Sequence, residues 1–321
     1  MAERWRPGTL NWKWDVLARQ QQWLGDAGLA ACIGGGVMSF GDNRGEAHAA
    51  PRYLHELYVE QVGHGPPLLI LHGFTGSTAE WDEVAPLLMP HATLLKVDLL
   101  GHGRSPAPVE LDAYRMEQAV TDLLALLDRN RLEQVALLGY SMGGRVALHL
   151  AAAAPERVTA LILASASPGL AEAQERAARR ANDEALADRI EQQGLAWFVD
   201  YWASIQLFAS QAQLPSATRA ALRARRLRGT AHGYAQSLRG MGTGHQRSLW
   251  QELPRLTMPT LLITGMLDQK FVAINEQMAE ALPNVEHVRI AEAGHTVHLE
   301  QPQAFCEVVV RFLHQGRNKN H

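Results

Sequence analysis

Cysteine is nearly absent from this sequence. Two occur in 321 residues, Cys32 and Cys306, which excludes a disulfide framework and suits a reducing compartment. Cys306 lies in an apolar helical stretch and reads as a small buried hydrophobe. Basic charge is not in excess either: a net charge of −3 offers no field for nucleic acid, although arginine is abundant between Arg176 and Arg255. No run reaches the roughly 20 apolar residues that cross a bilayer. The opening residues place Arg4, Arg6, Lys13 and Asp15 where a signal peptide needs an uninterrupted apolar core. A soluble, cytoplasmic protein without membrane or nucleic-acid partners is expected. Metal and nucleotide signatures are missing too, with no H-E-x-x-H, no paired cysteines, no G-x-G-x-x-G after the first strand and no Walker loop.

What is present is the balance of a globular enzyme-sized chain, 47% hydrophobic and 20% charged, long enough for one catalytic domain with a sub-domain. A homo-oligomer is left open. Residues 1–50 differ from the rest. They hold Trp5, Trp12, Trp14 and Trp23, a candidate helix over 14–24 and a Gly34-Gly35-Gly36 turn signal, and read as an N-terminal extension. An appended helix, a docking segment or a start codon placed too early each fits.

From Tyr53 onward strand and helix signals alternate. Residues 53–59 read as an opening strand and 67–72 as a short apolar run that ends in a glycine turn, as a buried strand should. A helix is expected over 79–88, a strand over 93–97, a helix over 113–127 with Ala119, Leu123, Leu126 and Leu127 on one face, a strand over 134–138, a helix over 142–154 and a strand over 159–164. After about Pro168 the pattern becomes helical and arginine-rich to about Leu253. It then returns to a strand over 260–264, a helix over 274–282, a strand over 286–290 and a final helix over 302–313. Such alternation implies an α/β fold, a mostly parallel sheet with helices on both faces. The domain spans about 51–316. A helical insertion over about 170–253 would form a lid above the carboxyl ends of the strands, where open α/β sheets bind ligands.

Four motifs fall at strand ends. Gly139-Tyr140-Ser141-Met142-Gly143 fits G-x-S-x-G between a strand and a helix, the sharp turn that lifts a serine hydroxyl clear of the sheet. His72-Gly73-Phe74 follows the second strand, so the backbone N–H groups of Phe74 and Met142 are the expected oxyanion donors, each worth about 3 kcal/mol. Gly265-Met266-Leu267-Asp268 and Gly294-His295 supply a carboxylate and an imidazole. The order Ser141, Asp268, His295 is that of an α/β-hydrolase-fold triad. His295 would take the proton of Ser141, and Asp268 would fix the imidazole tautomer. His298 is the rival histidine, without the preceding glycine. Asp98-Leu99-Leu100-Gly101-His102-Gly103-Arg104-Ser105 reads as a structural turn in which Asp98 and Ser105 satisfy backbone groups.

Beyond these general motifs, the chain from about 53 to 313 resembles the menaquinone-pathway synthases that make 2-succinyl-6-hydroxy-2,4-cyclohexadiene-1-carboxylate. The resemblance rests on Ser141-Met142-Gly143-Gly144-Arg145, on Ser167-Pro168-Gly169-Leu170, and on Glu175-Arg176-Ala177-Ala178-Arg179-Arg180. It also rests on Trp202 with Phe208-Ala209-Ser210, on Arg226, and on Met241-Gly242-Thr243-Gly244. It implies a lyase that eliminates pyruvate, with Ser141 as a proton-abstracting base and with no metal or organic cofactor. It further implies that Arg179 and Arg226 bind substrate and that Tyr140 and Trp202 line the pocket, although Trp202 fits ordinary lid core equally well. A tricarboxylate substrate needs fixed cations, and the guanidinium fork suits carboxylates. Arg145 is placed near Ser141 by the strand–turn–helix geometry. Arg176, Arg180, Arg219, Arg223, Arg225 and Arg228 read as solvated helix faces. Two other functions stay open: a hydrolase of an ester, thioester or carbon–carbon bond on the same triad, and a binding protein that kept the fold without catalysis.

Overall fold

The computed structural model describes residues 54–318. The four N-terminal tryptophans, the candidate helix over 14–24, the glycine triplet, Cys32 and Tyr53 lie outside the described residues. Seven strands form one sheet: β1 (Val59–Gly63), β2 (Pro67–Leu71), β3 (Thr93–Val97), β4 (Val135–Tyr140), β5 (Val158–Ala164), β6 (Thr260–Gly265) and β7 (Val285–Ile290), in the order β1-β3-β2-β4-β5-β6-β7. Only β1 runs antiparallel to its neighbour, and the other pairings are parallel. Each central strand is buried on both faces, which is why it reads as a continuous apolar run rather than an alternation. Leu69, Leu71, Leu137, Leu161 and Leu163 point to one core, while Leu68, Ile70, Leu138 and Ile162 point to the other.

Helices α1 (Ala85–Leu88), α2 (Met116–Arg129) and α3 (Met142–Ala153) alternate with these strands. They are followed by α4 (Ala173–Gln193), α5 (Leu195–Ser204), α6 (Ser216–Arg226) and α7 (Ala231–Met241) between β5 and β6. The chain closes with α8 (Gln269–Ala281), α9 (Val297–Glu300) and α10 (Pro302–Asn318). The α4–α7 segment carries a core of its own, made by Ala187, Ile190, Phe198, Tyr234, Ala235 and Leu238, against which Phe74 and Trp202 pack. In α4 only Asp183, Ala187 and Ile190 are buried, a single stripe on an otherwise polar helix. Among the described residues no helix is long and apolar enough to cross a membrane.

The helix expected over 274–282 starts earlier, at Gln269, where the Asp268 side chain caps it, and two further expected elements differ. The opening strand begins at Val59, not at 53, because the residues before it are engaged elsewhere. The N–H and Nδ1 of His55 both meet Asp122 on α2, at 3.1 and 2.9 Å, and the Tyr58 N–H donates to Ser105 Oγ at 2.8 Å. The helix over 79–88 is broken into a 3₁₀ turn, Thr78–Trp81, and the short α1. Pro86 stands in the first turn of α1, where a missing N–H costs nothing and a continuous helix would be interrupted. The N–H of Thr78, meanwhile, donates to the carboxylate of Asp98.

Of the buried histidines, two are driven furthest toward the neutral form. His102, after β3, and His149, in α3, are 1% and 4% exposed. Burial pushes each down to about 3, with Arg247 and Arg145 adding to it at His149. Below the ordinary value of 6.5 the unfolded chain takes up these protons and the folded chain does not. Stability is therefore complete above about 6.5 and falls with pH between 6.5 and 3, by about 1.4 kcal/mol per pH unit for each histidine. Thermal unfolding followed from pH 6 to pH 4 should show His149→Gln with a slope shallower by one proton than the parent. An unchanged slope would mean that His149 titrates normally.

Candidate active site

The turn from β4 to α3 is as tight as its glycines allow. A Cβ on Gly139 would lie 2.4 Å from the Gly143 carbonyl oxygen, and one on Gly143 would lie 2.4 Å from that of Leu71. Ser141, between them, has φ 49° and ψ −108°, a conformation that costs a non-glycine residue about 1–3 kcal/mol. The strain is held by the backbone bond from Ser141 N–H to Ala164 at 2.9 Å. It presents the hydroxyl above the sheet at the head of α3.

Opposite it, β6 and the loop after β7 approach so closely that a Cβ on Gly265 would lie 2.2 Å from the Gly294 carbonyl oxygen. This contact brings together two side chains 27 residues apart: His295 Nδ1 lies 2.7 Å from Asp268 Oδ2. His295 Nε2 lies 3.0 Å from Ser141 Oγ. Asp268 is also the N-cap of α8, its Oδ1 accepting the Phe271 N–H at 3.3 Å, so both carboxylate oxygens are occupied. With the carboxylate as acceptor, the imidazole proton sits on Nδ1 and Nε2 is left to accept from Ser141. The loop that bears His295 is fixed by Glu300, whose two carboxylate oxygens accept the N–H groups of Gly294 at 2.7 Å and Thr296 at 3.0 Å. Rings of Phe271 and Tyr140 flank the imidazole, with centroids at 4.6 and 5.4 Å.

The loop after β2 is held from three sides. The N–H of Gly73 donates to Glu80 Oε2 at 3.0 Å. The Gly73 carbonyl accepts from His72 Nδ1 at 2.7 Å and from the Gly76 N–H at 3.0 Å. His72 Nε2 in turn accepts the Leu99 N–H at 3.0 Å, which leaves the imidazole proton on Nδ1. Because a trans peptide is planar, fixing that carbonyl fixes the Phe74 N–H antiparallel to it. The N–H of Met142, first residue of α3, has no intrahelical acceptor. Both expected oxyanion donors are therefore backbone groups of rigid turns.

The expected cations have different surroundings. Arg145 is buried and its Nη1 donates to the Met241 carbonyl at 2.8 Å and to Gln246 Oε1. Burial and the neighbouring Arg179 hold it down to about 10. Arg179 Nε donates to Asp183 Oδ1 at 2.7 Å. Arg226 is 5% exposed, and among the described residues no hydrogen bond or ion pair engages its guanidinium. It stacks 5.2 Å over Phe208 and lines a cavity with Phe74, Glu80, Tyr140, Arg225 and Thr296. Arg225 and Arg176 depart from the expected solvated faces: both are half-buried, Arg225 donating to the Ala79 carbonyl at 2.8 Å and Arg176 to those of Leu170 and Ala171 at 2.9 and 2.6 Å. Arg180, Arg219, Arg223 and Arg228 are exposed. Trp202 packs edge-on against Phe74 and Phe208, and its buried Nε1 has no hydrogen-bond partner among the described residues. His298 lies on α9, its ring tilted against Trp81 and 3.7 Å from Glu80, and the imidazole on Ser141 is that of His295. Glu80, Gln211, Thr296 and Glu300 were not among the expected site residues. None of them belongs to a spaced motif, and only contact identifies them.

Comparison with known proteins places this geometry among relatives. The α/β hydrolase fold family matches residues 66–302. A Bacillus subtilis (strain 168) protein named, provisionally, 2-succinyl-6-hydroxy-2,4-cyclohexadiene-1-carboxylate synthase is 45% identical over 246 residues, 77% of this chain and 89% of that protein. The synthase of that name from Klebsiella pneumoniae (strain 342) is 35% identical, over 77% of this chain and 94% of its own. Among solved structures, MenH from S. aureus superposes with a TM-score of 0.78 at 32% identity, covering 82% of this chain and 99% of that one. A thermophilic esterase from Thermogutta terrifontis superposes at 0.73 with 26% identity, covering 84% and 96%.

Proposed function

Since the chain belongs to the 2-succinyl-6-hydroxy-2,4-cyclohexadiene-1-carboxylate synthases of the α/β hydrolase fold family, we propose that Ser141 is the base with which it eliminates pyruvate. The substrate is 2-succinyl-5-enolpyruvyl-6-hydroxy-3-cyclohexene-1-carboxylate. The two ring names dictate the bond changes. His295 Nε2 takes the hydroxyl proton of Ser141, and the alkoxide removes the proton at ring carbon 2, beside the succinyl ketone. The electron pair is delocalised onto that ketone oxygen, where the N–H groups of Phe74 and Met142 stabilise it. Its return makes the 2,3 double bond, moves the 3,4 double bond to 4,5 and expels the enolate of pyruvate from carbon 5. The proton on His295 goes to that enolate, so Ser141 and His295 are both restored and no water is consumed.

The observation that carries this reading over ester hydrolysis is Arg226. Its guanidinium touches no anion among the described residues, and Glu80, on the same cavity, attracts it only at a distance. A buried cation so weakly compensated is costly unless a ligand supplies a contacting charge, which a tricarboxylate would do and a neutral ester would not. Arg145 and Arg179, which act on each other electrostatically, would serve a second carboxylate, and the Trp202 indole N–H would be a further donor. The α4–α7 segment acts as a lid over the site. The protein works without cofactor in the cytoplasm. The test is pyruvate release from substrate generated in place by the preceding enzyme, compared with the rate without this protein. Release well above that background is expected. Background release together with cleavage of small esters would assign a hydrolase instead.

A further inference from the structure

Behind Tyr140, a chain of three polar side chains joins elements far apart in sequence. Gln211 Nε2 donates to Thr296 Oγ1 at 2.7 Å, and Thr296 Oγ1 lies 3.2 Å from the Tyr140 hydroxyl. All three are buried, at 6%, 3% and 4% exposure. Thr296 stands at the N-cap of α9, where a threonine ordinarily accepts an N–H of the first turn. Here its hydroxyl makes no such bond, and its own N–H is instead taken by Glu300. The side chain is thus diverted from its common local role to the contact between Gln211 and Tyr140.

An amide nitrogen can only donate, so Thr296 Oγ1 accepts from Gln211. By distance alone the contact with Tyr140 could run either way. The Thr296 proton makes no other hydrogen bond among the described residues, which directs it to the tyrosine oxygen and leaves the Tyr140 proton for the cavity that Tyr140 lines with Arg226. Burial raises the phenol well above its ordinary value, so the proton is retained.

We propose that Gln211 and Thr296 are positioning residues which turn the Tyr140 hydroxyl into a hydrogen-bond donor to a substrate carboxylate held at Arg226. The carboxylate's identity as part of the substrate rests on the synthase reading above, whereas the Gln211–Thr296–Tyr140 polarity does not. A phenol donor and a guanidinium together bind one carboxylate more selectively than a cation alone, because only the correctly placed oxygen receives both.

Thr296→Val, which keeps shape and removes the hydroxyl, should raise KM about tenfold, the size of one lost hydrogen bond to a charged group, and leave kcat within about twofold. Thr296→Ser should restore the parent KM. Tyr140→Phe should show the same rise, and the double variant should be no worse than Tyr140→Phe alone. Additive losses, or a Thr296→Val protein equal to the parent, would overturn the proposal. A second readout needs no turnover. With tyrosines carbon-13-labelled at Cζ in the full chain, the resonance lost in Tyr140→Phe should shift in Thr296→Val and in Gln211→Leu, and return in Thr296→Ser. A resonance indifferent to Thr296 would sink the polarity even if pyruvate release is catalysed. Shifted resonances in a protein that releases no pyruvate would retain the polarity and remove the substrate.

Discussion

Ser141→Ala should bring pyruvate release down to the background rate, a loss on the order of 10³-fold or more, because the three triad members act as one unit. The same geometry makes Asp268→Asn nearly as damaging for a different reason. Asparagine keeps an oxygen for the α8 cap, where Oδ1 now accepts the Phe271 N–H, so the fold should survive. Its amide nitrogen, however, would face His295 Nδ1 as a donor where Oδ2 now accepts. The imidazole must then present the other tautomer, with its proton on Nε2 aimed at Ser141, and cannot act as a base. Unfolding temperatures near the parent's, with release at background, are expected for both variants. The proposed role of Ser141 as base rather than nucleophile has its own consequence. The parent enzyme, quenched during turnover, should carry no covalent adduct on Ser141, and water labelled with oxygen-18 should leave no label incorporated by the elimination. An acyl-enzyme detected by mass spectrometry would replace proton abstraction with acyl transfer.

Much of this site is legible in the sequence because its chemistry is local. A strand that must be buried on both faces is written as an apolar run. The glycines at 139, 143 and 265 mark places where a Cβ would meet backbone atoms, and Gly294 one where it would meet the Ser210 side chain. Ser141 and Asp268 each follow such a run, and His295 follows the half-buried edge strand β7. The departures come largely from contacts between distant residues. Residues 54–58 carry strand-like side chains, but Asp122 and Ser105 take the N–H groups of His55 and Tyr58 before a sheet partner can. Pro86 and the Asp98 carboxylate together break the helix expected over 79–88. What sequence could not reach were partners without periodicity. Thr296 meets a tyrosine 156 residues away and a glutamine 85 residues away. Glu80 anchors the Gly73 N–H from a 3₁₀ turn. Nothing in the spacing of these residues distinguishes them from the other polar residues of the chain. The arginines make the same point. Arg225 and Arg226 are adjacent on α6, yet the first spends a nitrogen on the Ala79 carbonyl and the second is buried with none engaged.

That difference gives Arg226 an unusual expected signature. Arg226→Met should lower kcat/KM for the tricarboxylate about 10²-fold or more, because the charged hydrogen bonds to a desolvated carboxylate are lost. The free protein should at the same time become more stable, not less. Removing a buried charge that no anion contacts relieves desolvation at the loss of its longer-range attraction to Glu80, and methionine fills a similar volume over Phe208, so a net gain of up to about 1 kcal/mol is expected. Part of it is offset by the loss of a cation in the last turn of α6, where the helix dipole favours positive charge. The hydrogen bond from the Tyr234 hydroxyl to the backbone carbonyl of residue 226, at 3.0 Å, is independent of the side chain and should persist. Arg226→Lys should not rescue turnover, since an ammonium lacks the planar fork. Pyruvate release and thermal unfolding measured on the same preparations separate the alternatives. Opposite movement of activity and stability marks a residue held for its ligand. A parallel fall in both would make Arg226 a structural part of α6, and the carboxylate would have to be sought at Arg145 and Arg179.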